Sequence, residues 1–172
     1  MGRDIHLNIV RDGRVVDREI YNGRNYEWFD NMAGKGDSEE YDYLNVQYGI
    51  PKNLEDETIL SDYNEHGNGY FDFRYITVGD FIDWARAYQP WRHATWATTY
   101  EAWTIINKGR LPEFDKTYLS SDDNVADMQF VEYENPHDPS LWLFDYLTEG
   151  KCEAFEGGKP SRTDLLVYYF DN

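Results

Sequence analysis

The chain opens with a regular alternation of apolar and polar side chains. In DIHLNIV, residues 4–10, isoleucine and leucine alternate with Asp4, His6 and an asparagine, which is typical of a strand with one buried face. Asp12-Gly13 then favours a tight turn, and VVDREIY continues as a second strand. The pattern predicts an antiparallel hairpin that presents Asp4 and His6 on the face opposite to its apolar residues.

Helical spacing of apolar residues recurs later in the chain, over residues 25–34, 77–90, 95–109 and 138–150. Asn25 and Asp138 stand where an N-cap is expected, and glycine or proline ends each segment. The stretch SSDDNVADMQFVEYE fits either a helix or a strand, and both interpretations stay open. The closing TDLLVYYFDN alternates as a strand does and is expected to join the opening hairpin.

Together these elements predict an α+β fold for a single acidic domain, residues 1–172. We expect a small antiparallel sheet, formed by the N-terminal hairpin and the C-terminal strand, packed with three or four helices. Residues 35–69 contain turn residues, Pro51 and many carboxylates. They predict an irregular segment with room for a helical turn in PKNLEDETI, and long loops of this kind are often functional.

The charge of the chain is strongly unbalanced. Its 172 residues include 33 acidic and 16 basic side chains, with a formal net charge of −17 and a pI near 4.4. Such a surface repels nucleic-acid phosphates and attracts basic partners, such as a nucleic-acid-binding protein, a cationic peptide or a metal ion. We therefore predict no direct contact with nucleic acid and a basic or nucleic-acid-binding protein as the partner.

Two blocks of the chain concentrate this acidity. Residues 30–65 hold ten carboxylates against two lysines, and residues 113–157 hold twelve against two. Carboxylates arrayed on a surface can imitate DNA phosphates, and tyrosines among them suit a protein interface. The partner-binding residues predicted from these blocks are Asp37, Glu39, Glu40, Asp42, Glu55, Asp56, Glu57, Asp122 and Asp123.

Few features of the sequence point to catalysis or to a membrane. Cys152 is the only cysteine, which excludes an internal disulfide, and no apolar run is long enough to span a bilayer. A cytoplasmic protein without membrane contact is predicted. Nucleophile-elbow, phosphate-loop and dinucleotide-binding signatures are absent from the sequence. We predict no catalytic residue, no metal ligand and no cofactor, and favour a binding protein over an enzyme.

Arg24 stands between Gly23 and a run of aromatic residues, just before the helix that Asn25 is expected to cap. Two interpretations are open. As a clamp, its guanidinium would hold a carboxylate of this acidic chain. As an anion site, Arg24 and Asn25 would bind a ligand at the helix N-terminus, which attracts negative charge. The clamp is the favoured interpretation.

The two ends of the chain carry another candidate site. If the last strand pairs beside the first, Asp4, His6, Asp171 and Asn172 come together. Oxygen and nitrogen groups of this kind suit a metal site or an acid–base pair. The favoured alternative is a hydrogen-bonded polar seam that ties the C-terminus to the sheet.

Several short motifs occur in one order along the chain: MGRDIH, GRNYEWFDNMAG, GIPKNL, HGNGYFDFRYITVGDF and VYYFDN. In this order they resemble an uncharacterised family of small bacteriophage and prophage proteins, with an M-x-D-I-H start, a G-R-N-Y helix start and an F-D-N end. The chain departs from the family pattern at His66, where HGNGYF replaces a serine-rich element. The resemblance implies a phage origin and a shared fold, and so a host-cell cytoplasmic location.

Three functions are compatible with these features. The preferred one is a phage-encoded acidic inhibitor that binds a host or anti-phage defence protein and imitates the charge of DNA at its nucleic-acid-binding surface. The second is a small metal-dependent, phosphoesterase-like enzyme that uses Asp4, His6 and Asp171. The third is a sponge for an anionic, nucleotide-type ligand near Arg24.

Overall fold

The computed structural model describes residues 4–34, 44–67, 72–98 and 128–171. Its strands are β1 (Ile5–Arg11), β2 (Arg14–Gly23), β3 (Gln47–Tyr48), β4 (Asp72–Thr77), β5 (Arg92–Thr98), β6 (Met128–Glu134) and β7 (Leu165–Phe170). Its helices are α1 (Tyr26–Ala33), α2 (Glu57–His66), α3 (Val78–Tyr88) and α4 (Pro139–Thr148). The described residues form two compact units. One holds those up to Tyr88 and from Trp142 onward, and the other holds those between Gln89 and Leu141.

The first unit is built on a five-stranded antiparallel sheet with the strand order β2-β1-β7-β4-β3. β1 pairs with β2 on one side and with β7 on the other, so that His6 lies opposite Tyr169. The predicted α+β class is confirmed, as is the pairing of the opening hairpin with the closing strand. The sheet is larger than predicted, because β4 and β3 extend it beyond β7.

The hairpin between β1 and β2 turns at Asp12-Gly13, where both residues adopt left-handed backbone angles, with φ of 51° and 81°. A two-residue hairpin turn requires such angles, and glycine adopts them without strain. Gly13 also lies against the carbonyl of Asn53, which a Cβ at position 13 would approach to 2.1 Å. The Glu55 N–H donates to the Gly13 carbonyl oxygen at 2.8 Å, and this bond docks the turn on the segment before α2.

One face of the sheet packs against α1 and α4. The Tyr168 hydroxyl donates to the carbonyl oxygen of Met32 in α1 at 2.7 Å. Tyr21 of β2 packs edge-on against Trp28 of α1 and lies beside Trp142 of α4. The sheet residues buried on this face are Ile5, Leu7, Ile9, Leu166, Tyr168 and Phe170. Removal of this apolar surface from water is the main contribution to the stability of the unit.

The opposite face of the sheet packs against α2. Val10, Phe73 and Val167 form a buried cluster with Ile59 of α2. The prediction of an irregular segment over residues 35–69 is therefore wrong for α2, which extends over ten residues. Its apolar residues are few, and the packing of Ile59 on the sheet stabilises a helix that propensity alone would leave marginal.

The sequence pattern did not predict β4 either. The alternation of apolar and polar residues along β4 is interrupted by Arg74, whose charged side chain is only 3% exposed. The Arg74 guanidinium donates to both carboxylate oxygens of Asp72 and stacks over the Tyr48 ring, with its central carbon 4.0 Å from the ring centroid. Burial of the charge depends on these partners, and only the neighbouring strands bring Tyr48 to it.

The helices predicted over residues 25–34, 77–90 and 138–150 are confirmed as α1, α3 and α4. The Asn25 side chain accepts a hydrogen bond from the Trp28 N–H at 2.9 Å, and Asp138 accepts one from the Ser140 N–H at 2.8 Å. Gly34 ends α1 in the left-handed region, with φ of 64°. Within the described ranges, no helix has the length and apolar character needed to cross a membrane.

The second unit contains an antiparallel ribbon of two strands, β5 and β6, in which Trp96 lies opposite Phe130. The helix predicted over residues 95–109 is wrong for residues 95–98, which belong to β5; residues 99–109 lie outside the described ranges. The strand interpretation of residues 128–134 is right. β5 forms because β6 supplies its hydrogen-bond partners, and partners 30 to 42 residues away leave no trace in local spacing.

Candidate functional site

The start of β1 and the end of β7 bring the predicted polar cluster together. The Asp4 N–H donates to Asp171 Oδ1 at 2.9 Å, and the Asp171 N–H donates to the Asp4 carbonyl oxygen at 3.2 Å. His6 Nε2 lies 3.1 Å from Asp171 Oδ2. Asn172, the fourth residue expected here, lies outside the described ranges. These bonds tie the end of β7 to the start of β1.

Glu19 is a member of this cluster that the sequence analysis missed. It has a left-handed backbone, with φ of 46°, and lies where the register between β1 and β2 shifts. Its N–H donates at 2.9 Å to the side-chain oxygen of Asn8, which is only 2% exposed. The irregularity turns the Glu19 carboxylate toward the ring of His6, and Oε1 lies 3.4 Å from Nδ1. The only hint in the sequence is the polar run DRE inside VVDREIY.

His6 therefore lies between two carboxylates, with 14% of its side chain exposed. Its ring stacks on Tyr169, with centroids 4.6 Å apart and planes inclined by 13°. Burial raises the pKa of the Tyr169 hydroxyl to about 12, and the carboxylates of Asp62 and Glu19 add to the effect. The phenol accordingly stays neutral at physiological pH.

The chemistry of this cluster is that of a structural tie. Each Asp171 oxygen already has a partner, one in the Asp4 N–H and one in His6 Nε2. Among residues 4–34, 44–67, 72–98 and 128–171, no group of three histidine, cysteine or acidic side chains has an arrangement that could hold a metal ion. The geometry supports the polar seam that was favoured from the sequence.

Arg24 lies beside the N-cap of α1, as the sequence indicated. Its Nε donates to Asp4 Oδ1 at 2.9 Å, with 50% of the Arg24 side chain and 34% of the Asp4 side chain exposed. Arg24 thus holds a carboxylate of the polar seam, which is the contact expected of a clamp. It joins the start of α1 to the cluster at the end of the sheet.

The acidic residues predicted to bind a partner divide into two groups. Asp37, Glu39, Glu40, Asp42, Asp122 and Asp123 lie outside the described ranges. Glu55 and Glu57 are exposed next to the start of α2, with Glu55 Oε2 3.5 Å from Arg14 Nε. Asp56 is different, because it caps α2 and also accepts a hydrogen bond from Arg18. Burial raises the pKa of Asp56, but the hydrogen bonds from Arg18 and the Ile59 N–H outweigh it and leave the pKa below its usual value.

The ribbon of β5 and β6 carries an exposed aromatic face, formed by Trp96, which was predicted to lie in a helix, and by Phe130. Trp96 is 60% exposed and Phe130 is 57% exposed. Their rings meet at a centroid distance of 5.5 Å with planes inclined by 63°. The other face of the ribbon is covered, since Ala97 and Val131 are buried there with Tyr133 packed against them.

Acidic side chains continue the aromatic face along the ribbon. Glu132 and Glu134 follow Phe130 at two-residue intervals, so they share its face, and both are exposed. Across the ladder Glu132 lies opposite Ala94, and Glu134 lies opposite Arg92. A depression of about 410 Å³ is lined by Arg92, His93, Ala94, Glu132, Tyr133 and Glu134. We call Trp96, Phe130, Glu132 and Glu134 the ribbon face.

No protein-family model, curated protein or solved structure matches this chain. The resemblance to the bacteriophage family stays a prediction from the short motifs.

Proposed function

We propose that this chain is an acidic binding protein whose partner is a basic, nucleic-acid-binding protein. The observation that carries the proposal is the ribbon face, where two large aromatic rings are more than half exposed beside two carboxylates. Contiguous apolar surface with a polar border is typical of protein interaction sites. Tryptophan in particular is enriched among the residues that dominate binding energy.

The net charge of the chain favours a basic protein as the partner. The chain carries a net charge of −17, which speeds the encounter with a positively charged protein and slows the approach of nucleic acid. If the resemblance to phage proteins reflects the origin of the chain, the partner would be a host or anti-phage defence protein. In that setting the acidic surface would occupy the partner's nucleic-acid-binding site and imitate the charge of DNA.

The two alternative functions have less support. The phosphoesterase-like enzyme would use Asp4, His6 and Asp171, but these groups bond to one another across the ends of β1 and β7. The anion sponge would use Arg24, whose Nε is engaged by Asp4. In both cases the side chains that would act on a ligand already serve the fold.

The test is affinity capture from bacterial lysate, followed by affinity measurement with the purified captured protein. Trp96→Ala removes the larger anchor of the ribbon face. Tyr88→Ala is the matched control, because Tyr88 is an aromatic residue with 51% exposure that lies in the other unit. We expect a basic partner, at least about tenfold weaker binding by Trp96→Ala and unchanged binding by Tyr88→Ala.

Salt gives a second readout on the same material. Because charge steers the association, raising the salt concentration should lower the association rate for wild type and for Tyr88→Ala alike. Equal binding by Trp96→Ala and wild type, or binding that does not respond to salt, would overturn the proposal.

A further inference from the structure

The exposed face of the ribbon is made of rows in which the two strands contribute unlike side chains. Residues two apart on a strand lie on the same face. Three cross-strand pairs, all of them exposed, make up this face: Arg92 and Glu134, Ala94 and Glu132, Trp96 and Phe130. Each row therefore places a cation beside an anion, a short side chain beside a long one, or an indole beside a phenyl ring.

The row that holds both charges is not joined within the chain. Arg92 and Glu134 are directly opposite in the ladder, where Cβ atoms lie about 5 Å apart, yet among the described residues neither side chain makes an ion pair. Both are exposed. The ribbon thus presents a guanidinium and a carboxylate side by side, on the same face as the exposed rings of Trp96 and Phe130.

A surface of this kind is complementary to a rotated copy of itself. A two-fold axis that runs along the ribbon, between two facing copies, places β5 of each copy over β6 of the other. Arg92 then meets Glu134 of the second copy, and Trp96 meets Phe130. Two sheets commonly pack in this aligned way, with their strands about 30° apart and their faces about 10 Å apart. Homodimers are most often built on such a two-fold contact, in which one patch faces itself.

We infer that the ribbon face is also the contact through which two copies of this chain form a symmetric dimer. Ala94 leaves room for the Glu132 side chain of the second copy, so the row between the charged row and the aromatic row can close as well. The inference goes beyond the proposed function, because it requires no foreign partner. A partner that binds the ribbon face would compete with the second copy.

The dimer is expected to be weak. Three rows form a patch smaller than that of a stable dimer, and each copy carries a net charge of −17 that repels the other. We expect a dissociation constant on the order of 100 µM. Salt screens the repulsion between two acidic copies, whereas it weakens the attraction between this chain and a basic partner. The dimer is therefore best measured at moderately high salt.

Sedimentation equilibrium of the full chain, at about 0.3 M salt and at protein concentrations up to about 1 mM, measures the dimer. Arg92→Glu places like charges together at both symmetry-related contacts and should weaken the dimer at least about fivefold. Arg92→Glu combined with Glu134→Arg restores opposite charges across the axis without a change in net charge, and should return the affinity to within about twofold of wild type. Lys151→Glu is the matched control. It changes the net charge as Arg92→Glu does, but at an exposed lysine of the other unit, and should stay within about twofold of wild type.

Three results would overturn the dimer. They are a wild type that stays monomeric over this range, an Arg92→Glu effect no larger than that of Lys151→Glu, and a double variant that stays as weak as Arg92→Glu. If capture of a basic partner still depends on Trp96 in that case, only the dimer is lost and the proposed function stands. Capture that is independent of Trp96, together with a dimer that follows the charge exchange, would instead overturn the proposed function and leave the dimer as the role of the ribbon face.

Discussion

In the five-stranded unit, several carboxylates next to the sheet have partners within the unit, whereas the ribbon of β5 and β6 leaves a carboxylate opposite an alanine. Asp164 illustrates the first situation: it is 3% exposed and accepts hydrogen bonds from Arg11 Nε, Arg11 Nη2 and the Ser161 N–H at 2.8, 2.7 and 2.7 Å. Glu132 illustrates the second. The acidic residues of this chain therefore have two physical roles: some are paired within the fold, and others are exposed on the surface.

The largest buried aromatic residues of the five-stranded unit contrast with those of the ribbon, although Tyr48 and Tyr88 of that unit are also more than half exposed. Trp28, Tyr168 and Phe170 are at most 1% exposed in the five-stranded unit, whereas Trp96 and Phe130 of the ribbon are more than half exposed. Burying an aromatic side chain contributes to stability, so the exposed part of a ring contributes less to the fold than a buried ring does. The comparison shows why we place the candidate interface on the ribbon and assign the polar seam to stability.

The largest effect that would test this comparison is expected at Arg11. Arg11→Met removes two hydrogen-bond donors from a buried carboxylate, and we expect the free energy of unfolding to fall by more than in the control. Arg14→Met is the matched control on the other side of the same turn. Arg14 and Glu55 are 81% and 65% exposed, so loss of this ion pair should lower the free energy of unfolding by less than about 1 kcal/mol. Equal effects in urea denaturation would contradict the contrast between buried and exposed pairs.

A second effect concerns Cys152 and alkaline pH. The thiol is fully buried beside Asp17, and burial, followed by the Asp17 charge, raises its pKa from 9.0 to about 11. The folded state keeps the proton that the unfolded state loses, so this contribution is complete below pH 9 and is lost as the pH rises to about 11. Two pKa units correspond to about 3 kcal/mol.

Urea denaturation at pH 8 and at pH 11 measures this contribution. Cys152→Ala is the comparison, since it removes the thiol; the tyrosine it also affects is Tyr146, whose pKa burial, Asp17 and Cys152 together raise. Wild type is expected to lose about 2 kcal/mol more than Cys152→Ala across that interval, because the folded thiol is half deprotonated at pH 11. An equal loss in the two proteins would place the thiol in contact with water in the folded state.

The smallest effect is expected at Arg24. Its ion pair with Asp4 is half exposed, so Arg24→Ala should lower the free energy of unfolding by about 0.5 kcal/mol. Asn25→Ala removes the hydrogen bond that caps α1 and should cost about 1 kcal/mol. A thermal melt that ranks Asn25→Ala above Arg24→Ala agrees with a surface clamp. An Arg24→Ala midpoint identical to wild type would instead revive the anion-binding interpretation.

The sequence by itself determined the elements whose pattern is local. The alternation in DIHLNIV and TDLLVYYFDN identified β1 and β7, because every second residue of a strand faces the core. Asn25, Gly34 and Asp138 marked the ends of α1 and the start of α4, because a cap bonds to residues two or three positions away. The meeting of Asp4, His6 and Asp171 followed from placing those two strands side by side.

Only the tertiary structure decided the features that depend on distant partners. Trp96 fitted a helical stripe in the sequence, but pairing with β6 puts it on an exposed strand face beside Phe130. Glu19 reaches His6 through an irregular pairing that the buried side chain of Asn8 holds in place. Spacing along a chain reports local geometry, whereas the choice of pairing partner depends on the free energy of the whole packed unit.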